Sequence, residues 1–132
     1  MATRFGCRVA AATLGRDGVL AWDGQRFHYS PAFSVKAVDT TGAGDIFHAA
    51  FAYALLQSHP LERLLEFGCA AAALNCTAFG ARGGIRPVCE IEELMRNGAR
   101  HTPAFDAREL QAHSAEARSA AGNTSTNKLR TA

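Results

Sequence analysis

The chain lacks the features that mark most specialised classes. No segment approaches the roughly 20 apolar residues a membrane span needs. Arg4 and Arg8 stand ahead of Val9-Ala10-Ala11-Ala12 in the manner of a leader, yet Thr13-Leu14-Gly15-Arg16-Asp17 breaks that run too soon for a secretory signal. Cysteine is sparse. Cys7, Cys69, Cys76 and Cys89 include no C-x-x-C pair and no partnering histidine cluster, so neither a zinc site nor a redox motif is indicated. Cys69 and Cys76 are seven apart in a helical run, on one face but about 10 Å apart along the axis, beyond disulfide reach. A reducing cytoplasm is the expected compartment, and the sequons Asn75-Cys76-Thr77 and Asn123-Thr124-Ser125 are read as chance. There is no surplus of one charge either. A net charge of +2 with both signs interspersed gives no basic stripe, so neither nucleic acid nor an anionic membrane surface is an expected partner. Repeats, heptads and any Ser/His/Asp or Cys/His arrangement suited to nucleophilic catalysis are missing as well.

What is present fits one domain. At 132 residues and 48% apolar composition the chain can bury a real core, but not two. Cys7 to Leu14 reads as a strand entering the turn Gly15-Arg16-Asp17-Gly18, Val19-Leu20-Ala21-Trp22 as a second strand, and Gln25 to Tyr29, after Asp23-Gly24, as an alternating edge strand. Pro31 and an extended Ala32 to Val38 follow. The stretch that organises the rest is Val38-Asp39-Thr40-Thr41-Gly42-Ala43-Gly44-Asp45, which leads into the apolar run Ile46 to Leu56. Phe47, Phe51 and Leu55 recur every four residues, so this run is expected to be a helix buried on most sides. Its N-terminus gathers unpaired N–H groups and the positive end of the dipole, a ready anion site, and Gly42 and Gly44 let the backbone approach a ligand. A carboxylate at Asp45 would repel that anion, unless it serves to take a proton from whatever attacks it. The other reading is a plain helix-capping aspartate.

Asp39-Thr40-Thr41-Gly42-Ala43-Gly44-Asp45 resembles the D-T-x-G-A-G-D signature of the ribokinase-like, or PfkB, family of carbohydrate kinases. The resemblance implies that Asp45 is the catalytic base toward a sugar hydroxyl and that the Gly42, Ala43 and Gly44 amides stabilise the transferring phosphoryl group. It also implies ATP, Mg²⁺ travelling with the nucleotide, and a sugar or related alcohol as substrate. Thr13-Leu14-Gly15-Arg16-Asp17-Gly18 is similar to the family's T-L-G-x-x-G, beside the nucleotide, which marks Thr13, Gly15 and Gly18. A strand followed by a glycine turn is the plain alternative.

A second helix is expected from Leu61, with Pro60 at its first position, through the small-residue run Phe67 to Leu74. Ala71 to Pro87 resembles the family's alanine-rich helix and the G-A loop after it, which hold the adenine and a monovalent cation such as K⁺. The implied positions are Asn75 and Gly80 for the nucleotide and Asp39, Thr41, Ala78 and Gly84 for the cation. Arg86 adds one residue before Pro87 relative to the usual spacing, and a helix ending in a glycine loop accounts for the same residues. His48, one turn beyond Asp45, and Arg82, in the loop, each have a ligand reading and a structural or solvated one. Gly42-Ala43-Gly44 lacks the third glycine of G-x-G-x-x-G, which argues against a dinucleotide-binding domain.

Glu90 to Arg96 can form a last short helix. The expected division is therefore 1–96, the C-terminal portion of a three-layer α/β/α ribokinase-like fold with an incomplete sheet, and 97–132, a tail weakly helical over Asp106 to Arg118 and disordered from Ser119. The family's members are longer and carry the signature late, whereas here it starts at residue 39. A sheet cut at this point would leave open strand edges and apolar helix faces, inviting self-association, and the chain alone is expected to be at best weakly active. The competing function is a noncatalytic piece that binds nucleotide or a partner chain.

Overall fold

Two tight turns shape the first third of the chain. The computed structural model describes residues 6–106 together with 109, 110, 112, 113 and 119. Strands β1 (Ala10–Thr13), β2 (Val19–Trp22) and β3 (Phe27–Ser30) form an antiparallel sheet in the order β1-β2-β3, with Thr13 opposite Val19 and Val19 opposite Ser30. The β1–β2 turn depends on Gly18, whose φ is +101° and where a Cβ would lie 2.1 Å from the Ser30 carbonyl oxygen. Along β2 the side chains alternate, Val19 and Ala21 buried, Leu20 and Trp22 partly covered, as a half-buried strand requires. Ala11 to Thr13 of β1 are exposed, and among the described residues β1 pairs with β2 alone, so β1 is an open edge of the sheet, as is β3, the strand read as an edge from the sequence.

Helix α1 (Ala43–Leu56) packs on α2 (Leu61–Asn75), which also contacts β3 and α3 (Val88–Asn97). The small residues of α2 permit this. A Cβ on Gly68 would sit 2.6 Å from the Phe47 ring, so only hydrogen lets α1 approach this closely. Leu64, Leu65, Phe67, Cys69, Ala70, Ala71 and Ala73 of α2 are buried with Val19, Ala21, Phe33 and Ile91 in one core. The expectation that α1 is buried on most sides is corrected. It buries Phe47, Ala50 and Ala54 on one stripe and exposes Ala52, Tyr53, Leu55 and Leu56, because α2 covers a single face. Pro60 is likewise the N-cap of α2, at φ −66° and ψ 155°, rather than its first helical residue, and α3 starts two residues before Glu90.

The structured chain runs past the expected boundary at residue 96. The Ser34 N–H donates to the Ala99 carbonyl at 2.8 Å and the His101 N–H to the Ala32 carbonyl at 2.9 Å, flanking a bridge between Phe33 and Arg100. Phe105 then meets the Tyr29 ring edge-on at 5.0 Å. The expectations of a weak helix over 106–118 and of disorder from Ser119 fall largely outside the described residues.

The hairpin is fastened to α2 by charge. Buried His28 has Asp23 Oδ2 2.7 Å from Nε2 and Glu62 Oε1 3.0 Å from Nδ1, and Arg26 Nη2 lies 3.2 Å from the same Glu62 oxygen. The His28 hydrogen bond, followed by the Arg26 amide, holds the Asp23 carboxyl well below the usual carboxylate range. Folding lowers this pKa, so the linked stability is present above the unfolded value near ~3.9 and is lost as pH falls through the folded one. Asp23→Asn should lower stability modestly at pH 7, the pair being open to screening, and should give a shallower loss below about pH 4 than the wild type. Urea unfolding at pH 7 and pH 3 reads both.

Candidate functional site

The N-terminus of α1 has no side-chain cap, and its cap residue is Gly42 in the left-handed region at φ +76° and ψ 2°. A Cβ there would lie 2.7 Å from the Ala81 carbonyl oxygen, so glycine is required both by the backbone angle and by the loop that closes on it. Gly42→Ala should cost about 1–3 kcal/mol from the strained angle alone, measured by urea unfolding. The helical ladder begins with the Ile46 N–H donating to the Gly42 carbonyl at 2.9 Å, while the Ala43 N–H turns to the Thr40 carbonyl at 3.2 Å. This revises the anion hole. Of the expected Gly42, Ala43 and Gly44 amides, that of Ala43 is engaged, and the first-turn donors ahead of the ladder include those of Gly44 and Asp45. Gly44 is exposed, with nothing within 4 Å of where a Cβ would stand. Asp45 is exposed too, and among the described residues no hydrogen bond or ion pair ties down its carboxylate. His48 Nδ1 donates to the Gly44 carbonyl at 2.6 Å, which supports its structural reading.

A cavity of about 360 Å³ opens beside this turn. Its walls are Thr13, Gly15, Arg16 and Gly18 from the β1–β2 turn; Ala32, Phe33, Val35, Ala37, Thr40, Ala43 and Gly44 from the segment leading into α1, with Phe47 beyond; Cys69, Ala72, Ala73 and Cys76 from α2; and His101. The structure thus brings Thr13, Gly15 and Gly18 together with Ala43 and Gly44, and places Asp45 directly after the cavity wall. It does not bring Asn75 or Gly80 there. On α2 the spacing 69, 72, 73, 76 is one helical face, and residue 75 falls off it.

Asn75 is fully buried and serves the backbone instead. Its Nδ2 donates to the Ala81 carbonyl at 3.1 Å and the Thr41 carbonyl at 3.4 Å, and its Oδ1 accepts the Gly84 N–H at 3.2 Å. Asp39 is a second tie, Oδ1 accepting the Thr41 N–H at 2.8 Å and Oδ2 the Gly80 N–H at 2.9 Å. Hydrogen bonds from Thr41, then Gly80, hold its carboxyl below the ordinary range. The Asp39 carboxylate foreseen for a monovalent cation is therefore held in place by the chain's own donors. The Thr41 carbonyl faces Asn75, the Gly80 carbonyl accepts the Gly83 N–H at 3.2 Å, and Gly84 offers Asn75 its N–H. A carbonyl that accepts one hydrogen bond keeps a second lone pair, and the Gly84 bond to Asn75 uses only its N–H, so Asp39 with the Thr41, Ala78 and Gly84 carbonyls would be the residues to hold a monovalent cation; no step below is routed through one. Among the described residues there is no group of three or more His, Cys, Asp or Glu that could hold a metal.

Sequence reasoning missed Phe33, Val35, Cys69, Ala72, Ala73, Cys76 and His101. The α2 face was findable from its periodicity; His101 was not, because its position depends on a contact 69 residues away in sequence. Burial pushes the Cys69 thiol up to about 11, and its Sγ lies 3.9 Å from the Ser30 carbonyl, so it is a wall group rather than a nucleophile. Among the described residues Cys69 and Cys76 are not joined by a disulfide. Arg82 is exposed and off the cavity wall. No helix among the described residues is long and apolar enough to cross a membrane.

The sequence profile of the pfkB family carbohydrate kinases matches residues 2–87. A ribokinase of Bacillus subtilis is 46% identical over 83 residues, covering 63% of this chain and 28% of that enzyme. Among solved structures, a ribokinase of Thermotoga maritima superposes with a TM-score of 0.67 at 40% identity, over 72% of this chain and 32% of its own. A ribokinase of Arabidopsis thaliana, solved with ribose and ATP, gives 0.65 at 31% identity, over 72% and 31%. The chain thus spans about 30% of the length of these relatives.

Proposed function

Because the chain belongs to the pfkB family of carbohydrate kinases, we propose that it carries the nucleotide site and the base of a ribokinase-like kinase that moves the γ-phosphoryl group of ATP to a hydroxyl of a sugar or related small alcohol. The observation that carries this reading is the untethered Asp45 carboxylate beside the open first-turn amides of α1, at the wall of a nucleoside-sized cavity.

The apolar wall of Phe33, Val35, Ala72 and Ala73 takes the nucleoside, and the phosphates run toward the Gly44 and Asp45 N–H groups, where the helix dipole favours negative charge. The sugar hydroxyl gives its proton to Asp45 as its oxygen bonds to the γ-phosphorus. The bond to the β–γ bridging oxygen breaks and ADP leaves with that electron pair. The amides meet the charge that gathers on the phosphoryl oxygens, which is where such a site lowers the barrier most. Mg²⁺ would enter with the triphosphate and shield its charge.

A second reading has its own support. The three-stranded sheet ends on the exposed β1 edge, and α1 shows Tyr53, Leu55 and Leu56 to solvent, a surface that fits a second copy or a partner chain. In that reading the chain binds nucleotide without turnover. ADP release from MgATP in the presence of a panel of sugars, assayed alongside ADP binding, separates the two. Sugar-dependent ADP formation supports the kinase, binding without it supports the noncatalytic piece, and no binding overturns both nucleotide readings.

A further inference from the structure

We propose that His101 contacts the nucleoside part of the bound nucleotide, delivered to the cavity by a strap, residues 98–101, that lies beyond the stretch matched by the family profile. The inference rests on the reading of the cavity as a nucleotide site. Among the described residues, His101 alone reaches the cavity wall from beyond α3, and the strap is fixed rather than loosely apposed. The Gly98 N–H donates to the Leu94 carbonyl at 2.7 Å, and main-chain bonds to Ala32 and Ser34 pin residues 99 and 101. Between them the Arg100 guanidinium reaches the Pro31 carbonyl at 2.9 Å, pairs with Glu66, and lies over the Phe33 ring at 3.5 Å. With its neighbour held from three sides, the His101 ring has a defined place on the wall.

That place is at the nucleoside end. His101 bonds to Ala32, and Ala32 packs against Gly18, where a Cβ would lie 2.8 Å from the Ala32 nitrogen. The amides that suit phosphate are at the other end of the 32–44 segment. From the 32–35 segment the wall offers only alanine, phenylalanine and valine, so beside Thr13 and Arg16 of the β1–β2 turn an imidazole adds a ring that can both donate and accept hydrogen bonds to a base or ribose.

The test is titration of the full chain with ADP and with adenosine, in the wild type, His101→Ala and His101→Gln. His101→Ala should weaken both ligands by the same factor, roughly five- to tenfold as for one hydrogen bond, with the melting temperature unchanged. His101→Gln should regain most of the loss. In the wild type, the His101 ring proton resonances should move on adding adenosine alone, a readout independent of how the variants fold. Equal binding by wild type and His101→Ala, a loss confined to ADP, or unmoved ring resonances overturns the inference while leaving the nucleotide site standing. A wild type that binds neither ligand overturns the site itself.

Discussion

Asp45→Asn is expected to slow phosphoryl transfer by about 10²- to 10⁴-fold, the usual contribution of a positioned general base. The exchange removes proton affinity and charge while keeping the shape of an exposed side chain, so the fold should be untouched. Nucleotide affinity should hold or rise, since the variant no longer sets a carboxylate beside the phosphates. The capping alternative predicts the reverse pattern: a stability loss of about 0.3–1 kcal/mol from the first turn of α1, with the rate preserved. Steady-state ADP formation together with urea unfolding of both proteins decides between them. A variant that turns over as fast as the wild type removes Asp45 from the chemistry.

Asn75→Ala should give the largest loss of stability of any single side chain discussed. Asn75 is fully buried, and its amide supplies partners to the Thr41 and Ala81 carbonyls and the Gly84 N–H. Gly84 is itself buried, and a Cβ there would stand 2.3 Å from the Leu74 carbonyl oxygen, so the backbone cannot easily open to admit water. Stranding a buried polar group costs about 1–3 kcal/mol, and several are affected, so a total of roughly 3 kcal/mol or more is expected against the 5–15 kcal/mol that holds a typical domain together. Because Thr41 and Ala81 flank the Gly42 turn, ADP affinity should fall as well, and the effects of Asn75→Ala and Gly42→Ala should not add. Urea unfolding of the single and double variants measures both. A loss below about 1 kcal/mol, with ADP binding abolished, would return Asn75 to the nucleotide contact expected from the resemblance.

The two Asn75 readings illustrate how far the chain could be read without coordinates. Residues 71–87 marked a loop region that matters, yet which side chain faces the ligand depends on helical phase. Cys69, Ala72, Ala73 and Cys76 lie on the cavity side, and Asn75 turns toward Thr41 and Ala81. Strands β1 to β3 were legible because alternation and glycine turns are local signals, as was the start of α2 to within a residue, while α1 starts three residues before the apolar run that marked it. The degree to which α1 is covered was not. Its apolar composition promised burial on most sides, and composition does not say whether a neighbour is there to supply it.

By itself the sequence determined that amides and a carboxylate share the turn Gly42 to Asp45, since four consecutive residues at a helix start have little freedom to do otherwise. Only the tertiary structure decided what surrounds that turn. The engagement of the Ala43 amide by Thr40, the capture of the Asp39 carboxylate by Gly80, and the arrival of His101 at the cavity all depend on packing. Except for the Thr40 contact they join residues tens of positions apart, and such pairings are set by which surfaces bury together, information that no local pattern carries.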